Sequence, residues 1–131
     1  MILLLDTHVV VWLTTDSGKL SKKATQAIQR ARSSGGGLAI SCITLFELAH
    51  QIARKRIEVD ASLDLFLHDV ESRFVVMQLS AAIADRAVRL PLSFPSDPMD
   101  KIIAATALVE GLPLLTADER IHHSRVVETI W

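Results

Sequence analysis

The sequence predicts an α/β fold, with a short, mostly parallel central sheet flanked by helices on both faces. Two observations carry this expectation. Short apolar runs at Ile2–Leu5, Leu38–Ser41, Phe74–Met77 and Leu114–Leu115 alternate with segments of helical periodicity, the pattern of a parallel sheet joined by crossover helices. The chain also has 131 residues, 50% of them hydrophobic, enough to bury about two thirds of its surface around one core. A single domain over residues 1–131 is therefore expected. The apolar share excludes a disordered chain, which would be poor in Ile, Leu, Val and Phe. The single cysteine, Cys42, excludes an intramolecular disulfide and a cysteine-rich zinc site. Both point to an intracellular, cytoplasmic protein.

Each element has its own signal. Ile2–Leu5 is a buried strand that stops at Asp6. The surrounding stretch Met1–Leu13 is apolar but lacks a basic leader and a cleavage site, and Asp6, Thr7 and His8 interrupt it. Its apolar pieces fall short of the ~20 residues of a bilayer span, so no membrane segment is expected. Val9–Leu13 reads as helical. Leu20–Arg32 reads as a surface helix that ends in Ser33-Ser34-Gly35-Gly36-Gly37. These glycines follow a helix and precede a strand, the reverse of a phosphate loop, and are read as a turn.

After the Leu38–Ser41 strand, Ile43–Arg56 forms a two-faced helix. Leu45, Leu48, Ala49 and Ile52 make its apolar stripe, and Glu47, His50, Gln51 and Arg54 its polar one. Asp64–Ser72 is helical, Phe74–Met77 is a strand, and Ser80 caps a helix toward Leu90. Pro91–Pro98 is a loop. Asp97 as N-cap and Pro98 as first residue open a helix that Gly111 ends. Leu114-Leu115 is a strand, Thr116–Glu119 starts a helical turn, and Val126–Ile130 closes the chain.

The formal net charge of −1 conceals an asymmetry. From Lys19 to Arg56 there are eight basic residues and one acid, Glu47, whereas from Ile57 onward twelve acids face six bases. A near-neutral domain can thus present a positive face. Solvated basic helix faces are the plain alternative, and this asymmetry alone establishes no nucleic-acid partner.

Four acids stand out by position. Asp6 follows the first strand and Asp118 closely follows the strand ending near Thr116, so a parallel sheet brings both to the carboxyl edge where α/β sheets place function. Glu47 lies in the helix after the second strand, and Asp100 in the first turn of a helix. Each has a structural alternative. Asp6 can N-cap a helix. Thr44 with Glu47, and Thr116 with Glu119, match the S/T-x-x-E capping box, which puts Glu47 at N3 and Asp118 at N2. Asp97 pairs similarly with Asp100, and the helix dipole favours first-turn acids. Taken together, carboxylates crowded at one edge repel, and protons or a cation must relieve the repulsion. Mg²⁺ or Mn²⁺ suits oxygen donors of this kind, and such an ion activates water and stabilises the leaving oxygen of a phosphodiester. Arg and Lys nearby would hold a nucleic-acid backbone.

The chain resembles PIN-domain ribonucleases, and among them the VapC toxins of bacterial type II toxin–antitoxin pairs. The resemblance runs from end to end. It rests on Leu3-Leu4-Leu5-Asp6-Thr7-His8, on Ile40-Ser41 followed by Thr44-Leu45-Phe46-Glu47-Leu48-Ala49, on the stretch from Asp97-Pro98-Met99-Asp100 to Ala107, and on Leu114-Leu115-Thr116-Ala117-Asp118. It implies a PIN-like fold and Mg²⁺- or Mn²⁺-dependent endonucleolytic cleavage of RNA. It also implies a cognate VapB-type antitoxin and a homodimer. Asp6, Glu47, Asp100 and Asp118 match the family's acidic quartet, with Asp6, Asp100 and Asp118 as metal ligands and Glu47 completing the shell or positioning water. Asp97 and Thr116 match accessory positions. Arg54, with His50 beside it, and Lys101 are expected to contact RNA. Related toxins often carry Phe and Arg where Met99 and Lys101 stand, and lysine lacks arginine's bidentate fork.

His8 is expected to be packed or solvated rather than a general base. Trp12, Phe46 and Trp131 are expected in the core or at a dimer contact. Two rival readings remain open from the residues. Phosphatases that pass through an aspartyl-phosphate also open on a strand ending in Asp, but have a second Asp where His8 stands. A non-catalytic α/β binding module would use the acids only as caps.

Overall fold

The apolar N-terminal run Ile2–Leu5 becomes strand β1, the centre of a five-stranded sheet. The structure, a computed structural model, describes all 131 residues. Strands β2 (Gly37–Ser41), β3 (Val75–Met77), β4 (Leu114–Leu115) and β5 (Thr129–Ile130) complete the sheet in the order β3-β2-β1-β4-β5. Every neighbouring pair is parallel, with Leu4 opposite both Ala39 and Leu114.

Parallel strands need crossovers, and seven helices supply them: α1 (Thr7–Thr15), α2 (Lys22–Ser33), α3 (Cys42–Ala53), α4 (Leu63–Arg73), α5 (Ala81–Val88), α6 (Pro98–Glu110) and α7 (Glu119–Ser124). A 3-10 turn at Ser17–Lys19 joins α1 to α2. Because strand side chains alternate, β1 feeds two cores. Leu3 and Leu5 pack with Val9 and Val10 of α1, Ala27 and Ile28 of α2, Leu48 of α3 and Val70 of α4. Leu4, on the opposite face, packs with Ile103 and Ala107 of α6 and Ile121 of α7. Helix α5 lies outside α6, joined through Ile83, Ala87 and Ala105. No helix is long and apolar enough to cross a membrane.

Most helix boundaries follow the local signals. Ser80 and Asp97 cap α5 and α6, Pro98 opens α6, and Gly111 ends it in the left-handed conformation at φ 67°. Gly36 has a steric role that the turn assignment did not foresee: a Cβ there would lie 1.9 Å from the carbonyl oxygen of Met1.

Three helices next to the acids have boundaries that differ from expectation. Helix α1 starts at Thr7 rather than Val9, because Asp6 accepts a hydrogen bond from the Thr7 amide and caps it at once. Helix α3 starts at Cys42, capped by Ser41, and ends at Ala53, not Arg56. Thr44 is therefore inside the helix and Glu47 a further turn in, so the expected capping box does not form. Helix α7 starts at Glu119 with Asp118 itself as N-cap rather than at N2, and Thr116 remains outside the helix.

The strand order reverses direction between β1 and β4, since the chain moves outward from β1 to β3 before returning to the other side. Ligand crevices in open α/β sheets lie at the carboxyl ends of strands at such a point. Asp6 leaves β1 there, and its amide donates to the Leu115 carbonyl of β4 at 3.0 Å.

Candidate active site

Asp6 is 4% exposed and fully engaged. One carboxylate oxygen accepts from the Thr7 amide at 2.8 Å, and the other from the Thr116 hydroxyl at 2.8 Å. The same Thr116 oxygen accepts from the Asp118 amide at 3.1 Å. One buried hydroxyl thus links the acid after β1 to the acid after β4. His8 braces this pair. Its Nε2 accepts from the Ala117 amide at 2.9 Å, so the ring proton sits on Nδ1, 3.7 Å from Asp6. With Nε2 occupied and its ring against Trp12 at 5.1 Å, His8 is packed, as expected.

Glu47 reaches the same crevice from α3. The Thr7 hydroxyl donates to its Oε1 at 2.6 Å, and the Thr44 hydroxyl lies 3.0 Å from that of Thr7. Because the Thr7 proton is directed to Glu47, Thr44 is the donor in the second bond. Both threonines are buried. No buried side-chain nitrogen or oxygen is left without a partner.

The electrostatics show these acids sharing one field. Burial raises the pKa of Glu47, the hydrogen bond from Thr7 opposes the rise, and Asp6 and Asp97 add to it. Burial, then the charges of Asp6, Asp97, Glu47 and Asp118, push Asp100 from 3.8 up to about 7. Asp118 is the exception, held below the usual range chiefly by its hydrogen bond with Arg120. Arg120 places Nη2 2.9 Å from Asp118 Oδ2 and Nε 3.3 Å from Oδ1, and Nη2 also lies 4.0 Å from Asp100. Asp97 is exposed, accepts from the Met99 amide and contributes its charge from the N-cap of α6.

Asp6, Glu47, Asp100 and Asp118 therefore occupy one neighbourhood, with Asp97 and Thr116 beside them. They do not converge: no three His, Cys, Asp or Glu side chains are arranged closely enough to hold an ion as they stand. The donor set is nonetheless all carboxylate oxygen, and its mutual repulsion is what a hard divalent cation relieves. Asp6, Asp100 and Asp118 are the residues able to supply such ligands.

Beside Glu47 runs a groove of about 250 Å³ lined by Phe46, Glu47, His50, Gln51, Arg56 and Met99. Phe46 is 57% exposed and stacks on His50 with ring centroids 6.0 Å apart, so it is not a core residue. Trp12 and Trp131 are half-buried and pack on each other at 5.7 Å. Arg54 caps the C-terminus of α3 and is exposed, and Arg56 rather than Arg54 reaches the groove. Lys101 lines a separate groove with Ala84, Val88, Ser96 and Ile102. Thr7, Arg56 and Arg120 had no individual role assigned in the sequence, and Thr44 only that of a helix cap. Thr7 adjoins Asp6 in the first motif, but the contact of Thr44 with Thr7 and the approach of Arg120 to Asp100 carry no local signal.

Comparison with known proteins gives matches over nearly the whole chain. The PIN domain family matches residues 3–127. Ribonuclease VapC22 of Mycobacterium tuberculosis is 37% identical over 131 aligned residues, covering 98% of this chain and 97% of the relative. Among solved structures, VapBC2 from Rickettsia felis bound to a DNA fragment from their promoter matches with a TM-score of 0.75 at 18% identity, covering 98% and 97% of the two chains. A toxin–antitoxin complex from Klebsiella pneumoniae matches with a TM-score of 0.64 at 25% identity, covering 91% of this chain and 88% of that one.

Proposed function

This chain belongs to the PIN-domain family and, within it, to the VapC-type ribonucleases; from that premise we propose that it is a metal-dependent endoribonuclease, the toxin of a toxin–antitoxin pair restrained by a cognate VapB-type antitoxin. The observation that carries the proposal is the gathering of Asp6, Glu47, Asp100 and Asp118 at the β1/β4 edge, where burial first and then the charges of the neighbouring acids raise Asp100 to about 7. The presence of a similar chain in a toxin–antitoxin complex supports the partner. The whole chain acts as one PIN domain, pairs as a homodimer and works in the cytoplasm.

Asp6, Asp100 and Asp118 would hold Mg²⁺ or Mn²⁺. When bound, the cation supplies an activated water and a counter-charge for the leaving oxygen. Asp6 keeps its orientation because Thr7 and Thr116 fix both oxygens. Glu47, held on one oxygen by Thr7, uses the other to orient the attacking water. Thr116 keeps Asp6 and Asp118 in register. Asp97 caps α6 and adds negative field. Arg54 and Lys101, with Arg56 in the groove beside Glu47, take up the phosphodiester backbone.

The rival readings fit less well. An aspartyl-phosphate route uses a second Asp two residues on, where this chain has His8, whose Nε2 already accepts from the Ala117 amide. A binding module accounts for Asp6, Asp97 and Asp118 as helix caps, but not for Glu47 or Asp100, which cap nothing. The test incubates the protein with structured RNAs and Mg²⁺ or Mn²⁺, beside a chelator control and Asp6→Asn. Cleavage confined to the metal-containing wild type is expected. Cleavage that survives both controls would remove the proposed chemistry.

A further inference from the structure

We propose that Arg120 is an internal counter-cation of the acidic site, displaced when a divalent cation binds and thereby freed to hold the substrate's phosphodiester. This deepens the metal-dependent reading and rests on it.

The placement of Arg120 is unusual on helical grounds. It is the second residue of α7, where the helix dipole disfavours a positive side chain. The acids account for it instead: its guanidinium grips Asp118 through Nε and Nη2, and Nη2 lies 4.0 Å from Asp100. The guanidinium thus sits against two of the three proposed ligands, Asp118 and Asp100.

The geometry makes this grip releasable. The Arg120 side chain is 69% exposed, and an exposed ion pair is weak and exchanges readily. Asp118 Oδ1 also accepts from the Arg120 backbone amide at 2.9 Å, a bond that remains if the side chain swings away. Oδ2 is bonded only to the guanidinium, so departure of Arg120 frees that oxygen without re-aiming the carboxylate. The released fork, with planar donors suited to phosphate, stays beside the site where RNA must lie.

The test measures Mn²⁺ affinity by electron paramagnetic resonance of the free ion, for wild type, Arg120→Gln and Arg120→Lys. Arg120→Gln should bind about fivefold more tightly, the factor expected on losing an exposed competing charge. Arg120→Lys, which keeps the charge, should stay near wild type. At saturating Mn²⁺, Arg120→Gln should raise the KM for RNA several-fold with kcat nearly unchanged. A glutamine variant that binds Mn²⁺ no more tightly than wild type overturns the counter-cation role, and an unchanged KM overturns the phosphate role. Failure of the wild type itself to bind Mn²⁺ removes the metal reading and this inference together.

Discussion

Replacing Asp100 by Asn should make the metal-free protein more stable at neutral pH. Asp100 titrates near 3.8 when unperturbed and at about 7 in the fold, so the folded state binds its proton more tightly than the unfolded state does. Stability must then fall as pH rises between those values and level off above them. The shift corresponds to at most about 4 kcal/mol. The side chain is 18% exposed, and rotation toward solvent should reduce the penalty to about 2 kcal/mol, or roughly 5–10 °C in Tm for a chain of this size. Asn keeps the shape and discards the charge. Thermal denaturation followed by circular dichroism, in chelator from pH 4 to pH 8, should therefore show the two proteins converging at the acid end and Asp100→Asn melting higher at the alkaline end. Saturating Mg²⁺ should stabilise the wild type and do much less for the variant. An Asp100→Asn protein that melts at or below wild type at pH 8 in chelator would refute the assignment of a penalty from burial and charge repulsion to this carboxylate.

Two further outcomes follow from the site. Thr116→Val removes the donor to Asp6 and the acceptor for the Asp118 amide, and should cost about 1–3 kcal/mol in urea denaturation because two groups are left unpaired; cleavage should drop at least tenfold, by the same loss of positioning, and Thr116→Ser should restore most of both. Charge reversal at Arg54 and Arg56 should weaken RNA binding and flatten its dependence on salt, as measured by fluorescence anisotropy over a salt series. An unchanged slope would take the end of α3 out of the RNA-binding face.

What the sequence made legible was whatever is written locally. The β1 run Leu3-Leu4-Leu5 is apolar at successive positions because both faces of the sheet are covered, and a parallel central strand must read that way. Ser80, Asp97-Pro98 and Gly111 mark helix ends through interactions within a few residues. The misread boundaries are those where a local motif competes with a distant partner. Thr44-x-x-Glu47 and Thr116-x-x-Glu119 both have the spacing of a capping box, yet neither threonine caps a helix. Thr44 bonds Thr7, 37 positions away in sequence, and Thr116 bonds Asp6, 110 positions away. Arg120 illustrates the same limit, since its spacing from Asp118 is visible in sequence whereas its approach to Asp100 depends on α6 and α7 packing on one face of the sheet. Asp6 and Asp118 were legible as candidates because strand ends fix their place, whereas Glu47 and Asp100 were picked out by their helix positions and by the family motifs.

The most direct measurement is anomalous diffraction from crystals equilibrated with Mn²⁺. A peak coordinated by the carboxylates of Asp6, Asp100 and Asp118, with Arg120 turned away from Asp118 and the peak lost in Asp6→Asn, is the expected result. At saturating Mn²⁺, the absence of any peak among these carboxylates, or a peak bound only elsewhere, would contradict a cation-dependent nuclease site at the β1/β4 edge.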